Sequence, residues 1–342
     1  MPIPTFNNTH STVRVSAPAR LHLGFLDLNG SIGRKFGSIG LAIDTHHTII
    51  EVQLATTTTI TNNANSSTEI CQKVEQIITR FYRSLGQEIG SERQGVVVSL
   101  IQLIPEHAGL GSGTQLALTL GSALCKIHHI AASTADIATQ LGRGSRSGIG
   151  IATFDYGGFI VDGGLNDAST IPPLLAHYDF PQNWRVVIIL DQSQQGVHGS
   201  QELTAFNKLP TFPLSSSQAI CHLTLMTLLP ALVEQKIAPF GQAITDIQAL
   251  IGDHFAPVQG GRYTSSHVAG LLDYAKSLGH TGIAQSSWGP TGCVFVDSER
   301  SAKQLIQSLN HFSTTKLNRP SGLLFTVAQA NSSGANIETI PL

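Results

Sequence analysis

The stretch "IPEHAGLGSGTQLALTLGSALCKI" (104–127) limits the fold more than any other part of the chain. It follows the apolar run "VVVSLIQLI" (96–104), which reads as a buried strand. Gly109, Gly111 and Gly113 interrupt the chain, and the apolar spacing beyond them predicts a helix to Ile127. A strand that enters a helix through a glycine turn calls for a sheet with helices packed on it. Glycine there permits positive φ and close approach of the backbone to a ligand. The opening helix aims free N–H groups and the positive end of its dipole outward, which suits an anion. Ser112 and Thr114 add hydroxyl donors. A tight turn with no ligand fits the same pattern. The loop lacks the lysine of G-x-x-x-x-G-K-[ST], and Thr114 departs from G-x-G-x-x-G.

The rest of the chain supplies strands and helices around this unit. "TVRVSAPARLHLGFLDL" (12–28) alternates and predicts strands broken near Pro18, and "TIIEVQLATTTTITNN" (48–63) predicts a strand pair. "CQKVEQIITRFYRSLG" (71–86) has helical spacing with a glycine stop. "STADIATQLG" (133–142) opens with a capping box, Ser133 and Asp136. "GGFIVDGG" (157–164) and "WRVVIILD" (184–191) read as strands on either side of a Pro-rich passage. Beyond it lie helical stretches at 198–208, 215–229, 239–251, 264–278 and 298–309, with strands at 292–297 and 322–329. The expectation is an α+β protein of two domains, 1–170 and 171–342, long enough for a core in each.

Composition narrows the function. Lys and Arg number 20 against 22 Asp and Glu, with no basic tract, so nucleic acid is not an expected partner. The start has neither a basic n-region nor an apolar h-region, and no run of about 20 apolar residues offers a membrane span. Four scattered cysteines without a CxxC pair fit a reduced, cytoplasmic protein. Charged residues make up only 12%, which favours an oligomer, here a homodimer. The pairs His46-His47 and His128-His129 cannot converge on a metal, because adjacent side chains diverge.

Two further stretches stand out. In "GRGSRSGIGIATFDYGG" (142–158), Arg143, Ser145 and Arg146 sit among glycines, a setting for anion capture or for a plain glycine-rich helix start. If the segment is helical, the two arginines share a face and clamp one phosphate. In "QSSWGPTGCVFVD" (285–297), Trp288 precedes a Gly-Pro turn and is either core or a stacking surface.

Three stretches in order, "APARLHLGFLDL" (17–28), "PEHAGLGSGTQLALTLGSAL" (105–124) and "SSWGPTGCVFVD" (286–297), resemble the A-P-A-[KR], P-x-x-x-G-L-G-S-S-A and C-terminal glycine motifs of the GHMP kinase superfamily. The resemblance implies a ribosomal protein S5 domain 2-like N-terminal domain, an α/β C-terminal domain and a site between them. Within that superfamily, "ARLHLGFLDLNGSIGRKFGSIGLAID", "GRGSRSGIGIATFDYGGFIVDGG", "QQGVHGSQELTAF" and "QSSWGPTGCVFVD" are similar to beta-ribofuranosylaminobenzene 5'-phosphate synthases. Such enzymes belong to tetrahydromethanopterin biosynthesis. They join phosphoribosyl pyrophosphate to 4-aminobenzoate or 4-hydroxybenzoate and release CO2 and pyrophosphate. Many GHMP kinases carry an aspartate about eight residues before the paired glycines that match Gly157-Gly158; Ile149 stands there in this chain.

The resemblance implies catalytic roles for Arg20, His22, Asp27 and Arg146. Gly109, Gly111, Ser112, Gly113, Thr114, Arg143 and Ser145 would bind phosphate groups, with Arg34 and Lys35 adding charge. Trp288 would stack on the benzoate. His198 and Glu202, four apart, would share a helix face or form a surface pair. A divalent metal, Mg²⁺, would share the charge of the leaving pyrophosphate; its ligands are not identified. An ATP-dependent small-molecule kinase with another base, and a non-catalytic binding protein, are the competing readings.

Overall fold

The computed structural model describes residues 11–64, 67–196, 204, 208–317 and 322–341. The candidates His198 and Glu202 lie outside them. The N-terminal half begins with two long strands, β1 (Ser11–Asp27) and β2 (Phe36–Leu54), paired antiparallel along almost their whole length. Pro18 bends β1 rather than ending it. Register shifts occur at Pro18/Ala19 and again at His22/Gly24, so one strand runs where two were expected. β3 (Thr59–Asn62) pairs parallel to β4 (Val96–Gln102) instead of forming a hairpin with β2.

Helices α1 (Thr68–Tyr82), α2 (Ser112–Ile127) and α4 (Ile149–Tyr156) pack on this sheet, and α3 (Thr134–Gln140) packs against α2 and α4. Alternation puts Val13, Val15, Ile50, Val52 and Val98 into one core with Val74, Leu116 and Leu120 of the helices. The Ser133–Asp136 capping box forms in full at the start of α3. β5 (Phe159–Asp162) joins β2, and β6 (Leu174–Tyr178) joins β5.

The second sheet holds β7 (Arg185–Asp191), β8 (Ile283–Gln285), β9 (Thr291–Val296) and β10 (Leu323–Ala328) in the order β10-β7-β9-β8. Strand β7 is buried on both faces. Val187 and Ile189 pack under α8 (Ser266–Ser277) and α9 (Glu299–Lys316). Val186, Ile188 and Leu190 turn inward to a core that both sheets share. There Phe159, Phe180, Trp184, Phe240 and Phe295 interlock, Phe240 from α7 (Ile237–Gln259). Edge-to-face packing of this kind adds to area burial. β11 (Asn336–Pro341) returns to pair with β1, so the chain's last described strand completes the first sheet.

One segment departs from the composition reading. Leu214–Val233 is helical over 20 residues and apolar enough to cross a membrane by length alone. Its start, α5 (Leu214–Leu223), packs on β1, and a π turn at Thr224–Leu228 leads through Pro230 into α6 (Leu229–Val233). Ile220, Leu228, Ala231 and Leu232 are buried in the shared core. The segment is therefore a helix of the C-terminal lobe whose inner face closes that core.

Candidate active site

Between the two lobes lies a cleft of about 600 Å³. Its floor is the glycine loop. Gly111 caps α2 in the left-handed region (φ 86°), and the amides of Ser112 and Gly113 stand at the helix start, where no preceding turn can accept them. Thr114 and Gln115 donate back to the Gly111 carbonyl. Side-chain amide Nε2 of Gln115 donates to the Gly150 carbonyl at 2.8 Å, tying α2 to α4.

The lobes meet backbone to backbone beside this loop. Ser286 Oγ donates to the Gly109 carbonyl (2.7 Å) and Thr291 Oγ1 to that of Ala108 (2.6 Å). Glycine is required on both sides. A Cβ on Gly109 would sit 2.1 Å from the Ser286 carbonyl oxygen, and one on Gly289 would sit 2.3 Å from the Ala108 carbonyl carbon. Residues 287–289 of the C-terminal motif thereby form one wall of the cleft and seat Trp288, which packs on Phe255 with ring centroids 4.3 Å apart.

Strand β1 lies directly beside that wall. Arg20 and His22 point the same way because side chains two apart share a face, while Ala19, Leu21 and Leu23 fill the core. Arg20 donates through Nη1 to the Gly109 carbonyl at 2.5 Å. The His22 backbone is fixed by Ser286 Oγ and by the Ser287 amide. Its ring lies 4.7 Å from Phe25, and its Nε2 is buried without a hydrogen-bond partner among the described residues. Burial first, then the charges of Arg20 and Arg146, push this imidazole down to about 3. His22 is therefore neutral at physiological pH.

Of the expected residues, Arg20, His22, Gly109, Gly111, Ser112, Gly113, Thr114, Arg143, Ser145, Arg146 and Trp288 all line this one cleft. Three do not. Asp27 uses Oδ1 to accept from the Asn29 and Gly30 amides and from Ser217, so it caps the turn after β1. Arg34 donates to the Gly163 and Gly164 carbonyls. Lys35 exchanges backbone hydrogen bonds with Leu165 and lies over the Phe36 ring. Both serve the loop between β1 and β2. Residues 143–148 are also irregular rather than helical, so no helix face unites Arg143 with Arg146.

The cleft contains residues that the sequence did not single out. Lys73, Gln76, Ile77 and Arg80 arrive from α1, and Glu106 and His107 precede the glycine loop. Lys73 pairs with Glu106 at 2.5 Å. Gly196 is held by the His107 carbonyl at 2.9 Å. Helical spacing and a glycine stop predicted the helix itself, and nothing local signals that its last turn faces a cleft. Asp162 lies behind the site. Its carboxylate accepts from the Gly148 and Gly164 amides and braces the arginine loop, while burial pushes its pKa up to about 6.

Among the described residues, five cations line the cleft, Arg20, Lys73, Arg80, Arg143 and Arg146, against the single carboxylate of Glu106. Such a surface favours a polyanionic ligand. No cluster of three metal-ligating side chains occurs among the described residues. The donor set fits a divalent ion only if substrate oxygens hold most of it, with Glu106 and the hydroxyls of Ser112 and Thr114 as the protein's share.

Residues 73–158 match the GHMP kinases N terminal domain, and residues 228–313 match GHMP kinases C terminal. The chain is 35% identical to a beta-ribofuranosylphenol 5'-phosphate synthase of Archaeoglobus fulgidus, over 84% of this chain and 88% of the relative. It is 33% identical to one of Methanocaldococcus jannaschii, over 83% of this chain and 90% of the relative. In fold it resembles a homoserine kinase from Cytophaga hutchinsonii, with a TM-score of 0.64, 17% identity and coverage of 99% and 100% of the two chains.

Proposed function

The chain belongs to the GHMP kinase superfamily and within it to the beta-ribofuranosylphenol 5'-phosphate synthases, and from that premise we propose that it joins phosphoribosyl pyrophosphate to a para-substituted benzoate with loss of CO2 and pyrophosphate. The relatives' name speaks of a phenol, which favours 4-hydroxybenzoate over 4-aminobenzoate as the acceptor. The pathway implied is tetrahydromethanopterin biosynthesis.

The observation that carries the reading is the charge pattern of the cleft together with Ile149. Ile149 is fully buried against Ala152 and Ile160, at the position where many GHMP kinases carry an aspartate. A kinase needs a hydroxyl deprotonated; this condensation does not. The bond from ribose C1 to pyrophosphate breaks, and pyrophosphate keeps the electron pair. The carboxyl-bearing ring carbon attacks C1. The bond to the carboxylate then breaks, its electrons restore the aromatic ring, and CO2 leaves. Charge and atoms balance with no proton removed from the ring.

What this asks of the protein is positioning and fixed positive charge. Arg20, which lies against Gly111, and Arg146 face the growing charge on pyrophosphate. A divalent ion bound with the substrate would add positive charge there. Neutral His22, Phe25 and Trp288 offer the benzoate ring an aromatic wall, and the neutral imidazole does not trap the departing carboxylate as a cation would. The test is release of labelled CO2 and of pyrophosphate from carboxyl-labelled 4-hydroxybenzoate plus phosphoribosyl pyrophosphate. ATP-dependent phosphorylation of a small alcohol without CO2 release would refute it.

A further inference from the structure

The two arginines of the 142–148 loop serve different ends of the cleft. Arg146 is close enough to His22 for its charge to act on the imidazole, on the side where Arg20 also stands. Arg143 turns the other way. Its Nη1 lies 3.4 Å from the Cβ position of Gly113, over the first turn of α2. The charge it meets there is that of Arg80. Arg80 reaches over from α1 and is held by its Nε, which donates to the Gln140 carbonyl at 2.5 Å. Its Nη1 is 2.6 Å from where a Cβ of Gly142 would stand, and Gly142 has φ +71°. Glycine at 142 thus makes room for the Arg80 guanidinium.

Among the described residues, neither Arg80 nor Arg143 forms an ion pair with a carboxylate. The Nε of Arg143 is buried and has no hydrogen-bond partner among the described residues. Lys73, the nearest other cation of α1 in the cleft, is taken up by Glu106. Two guanidinium groups and the positive end of a helix repel one another when gathered without an acid. A guest anion removes that cost, and paired forks grip the terminal oxygens of a phosphate well.

We infer that Arg80, Arg143 and the first turn of α2 form a second anion station, distinct from the Arg20–Arg146 side, and that it takes a phosphate monoester. On the phosphoribosyl reading above, on which this rests, the ligand is the 5'-phosphate of the sugar. The leaving pyrophosphate must lie at C1, and C1 must face the acceptor ring. His22, Phe25 and Trp288 put that ring on the Arg20–Arg146 side. The 5'-phosphate takes no part in the bond changes and belongs at the remote station. It stays on the sugar throughout, so the station contributes uniform binding, which sets KM rather than kcat.

The experiment is calorimetric titration of ribose 5-phosphate and of inorganic pyrophosphate into the parent, Arg80→Met and Arg80→Gln, with CO2-release kinetics on each. We expect both variants to bind ribose 5-phosphate about tenfold or more weakly, the loss of one charge-assisted contact, to bind pyrophosphate as the parent does, and to raise KM with kcat nearly unchanged. Loss of pyrophosphate affinity with ribose 5-phosphate spared would assign the station to the leaving group and overturn the inference. Parent-like binding of both ligands, in variants that still release CO2, would show Arg80 to be a solvated charge. A parent that binds neither ligand and releases no CO2 would bring down the phosphoribosyl reading itself.

Discussion

Gly109 and Gly111 have similar backbone angles, φ +80° and +86°, yet their substitution should have different consequences. An alanine at either place suffers the left-handed penalty of about 1–2 kcal/mol. At Gly109 the new Cβ also falls 2.1 Å from the Ser286 carbonyl oxygen and 3.0 Å from Gly289 Cα. Both are backbone atoms of the other lobe, so relief requires the 286–290 turn to retreat. Forced repacking of that kind costs about 1–3 kcal/mol. Gly109→Ala should thus lose about 2–5 kcal/mol, a large share of a typical stability of about 5–15 kcal/mol. At Gly111 the nearest atoms are Arg20 Cγ at 3.1 Å and Nε at 3.3 Å, parts of a side chain that can swing away. Gly111→Ala should lose only the backbone penalty, while displacing Arg20 from the phosphate loop and lowering kcat/KM beyond what stability explains. Urea unfolding at constant m-value, with CO2-release kinetics on both variants, separates the two effects. Equal destabilisation of the two variants, or a parent-like Gly109→Ala, would refute the reasoning.

Arg146→Lys keeps a charge but not the planar fork, so affinity for phosphoribosyl pyrophosphate should fall about tenfold or more while benzoate binding is spared, as titration of each substrate would reveal. His22 is depressed to about 3 in the fold, so its contribution to stability is present above about pH 6.5 and is lost as pH falls; between pH 6.5 and 5 the loss is about 2 kcal/mol, and His22→Gln should remove it from the difference between urea curves. Asp162 works in the opposite direction: raised to about 6, it favours the fold below about pH 4 and loses about 3 kcal/mol as pH rises through 6, a slope that Asp162→Asn should flatten.

Local chemistry was readable from the chain wherever cause and effect lie within a few residues. The helix from Ser112 to Ile127 is set by the glycines before it and by its own apolar spacing. The capping box needs only Ser133 and Asp136. Partners distant in sequence were not readable. β11 is largely exposed and carries no alternating burial, so nothing marked it as the strand that would complete the first sheet beside β1. β3 looked like the return of a hairpin, but its parallel pairing with β4 depends on where α1 lets the chain come back.

The site shows the same division. A cation in a glycine-rich loop is available to a ligand only if no carbonyl claims it first. Arg34 is claimed by Gly163 and Gly164, about 130 residues away in the chain. Asp27 is claimed by the turn that follows it. Arg80 is the converse case. In sequence it is one more polar residue on the outer face of an amphipathic helix. It becomes part of the cleft because α3 ends at Gln140 with an open carbonyl and Gly142 leaves a gap for a guanidinium. Whether a charge binds substrate or braces a loop was therefore decided by backbone acceptors and absent Cβ atoms, and these become visible only when distant segments are brought together.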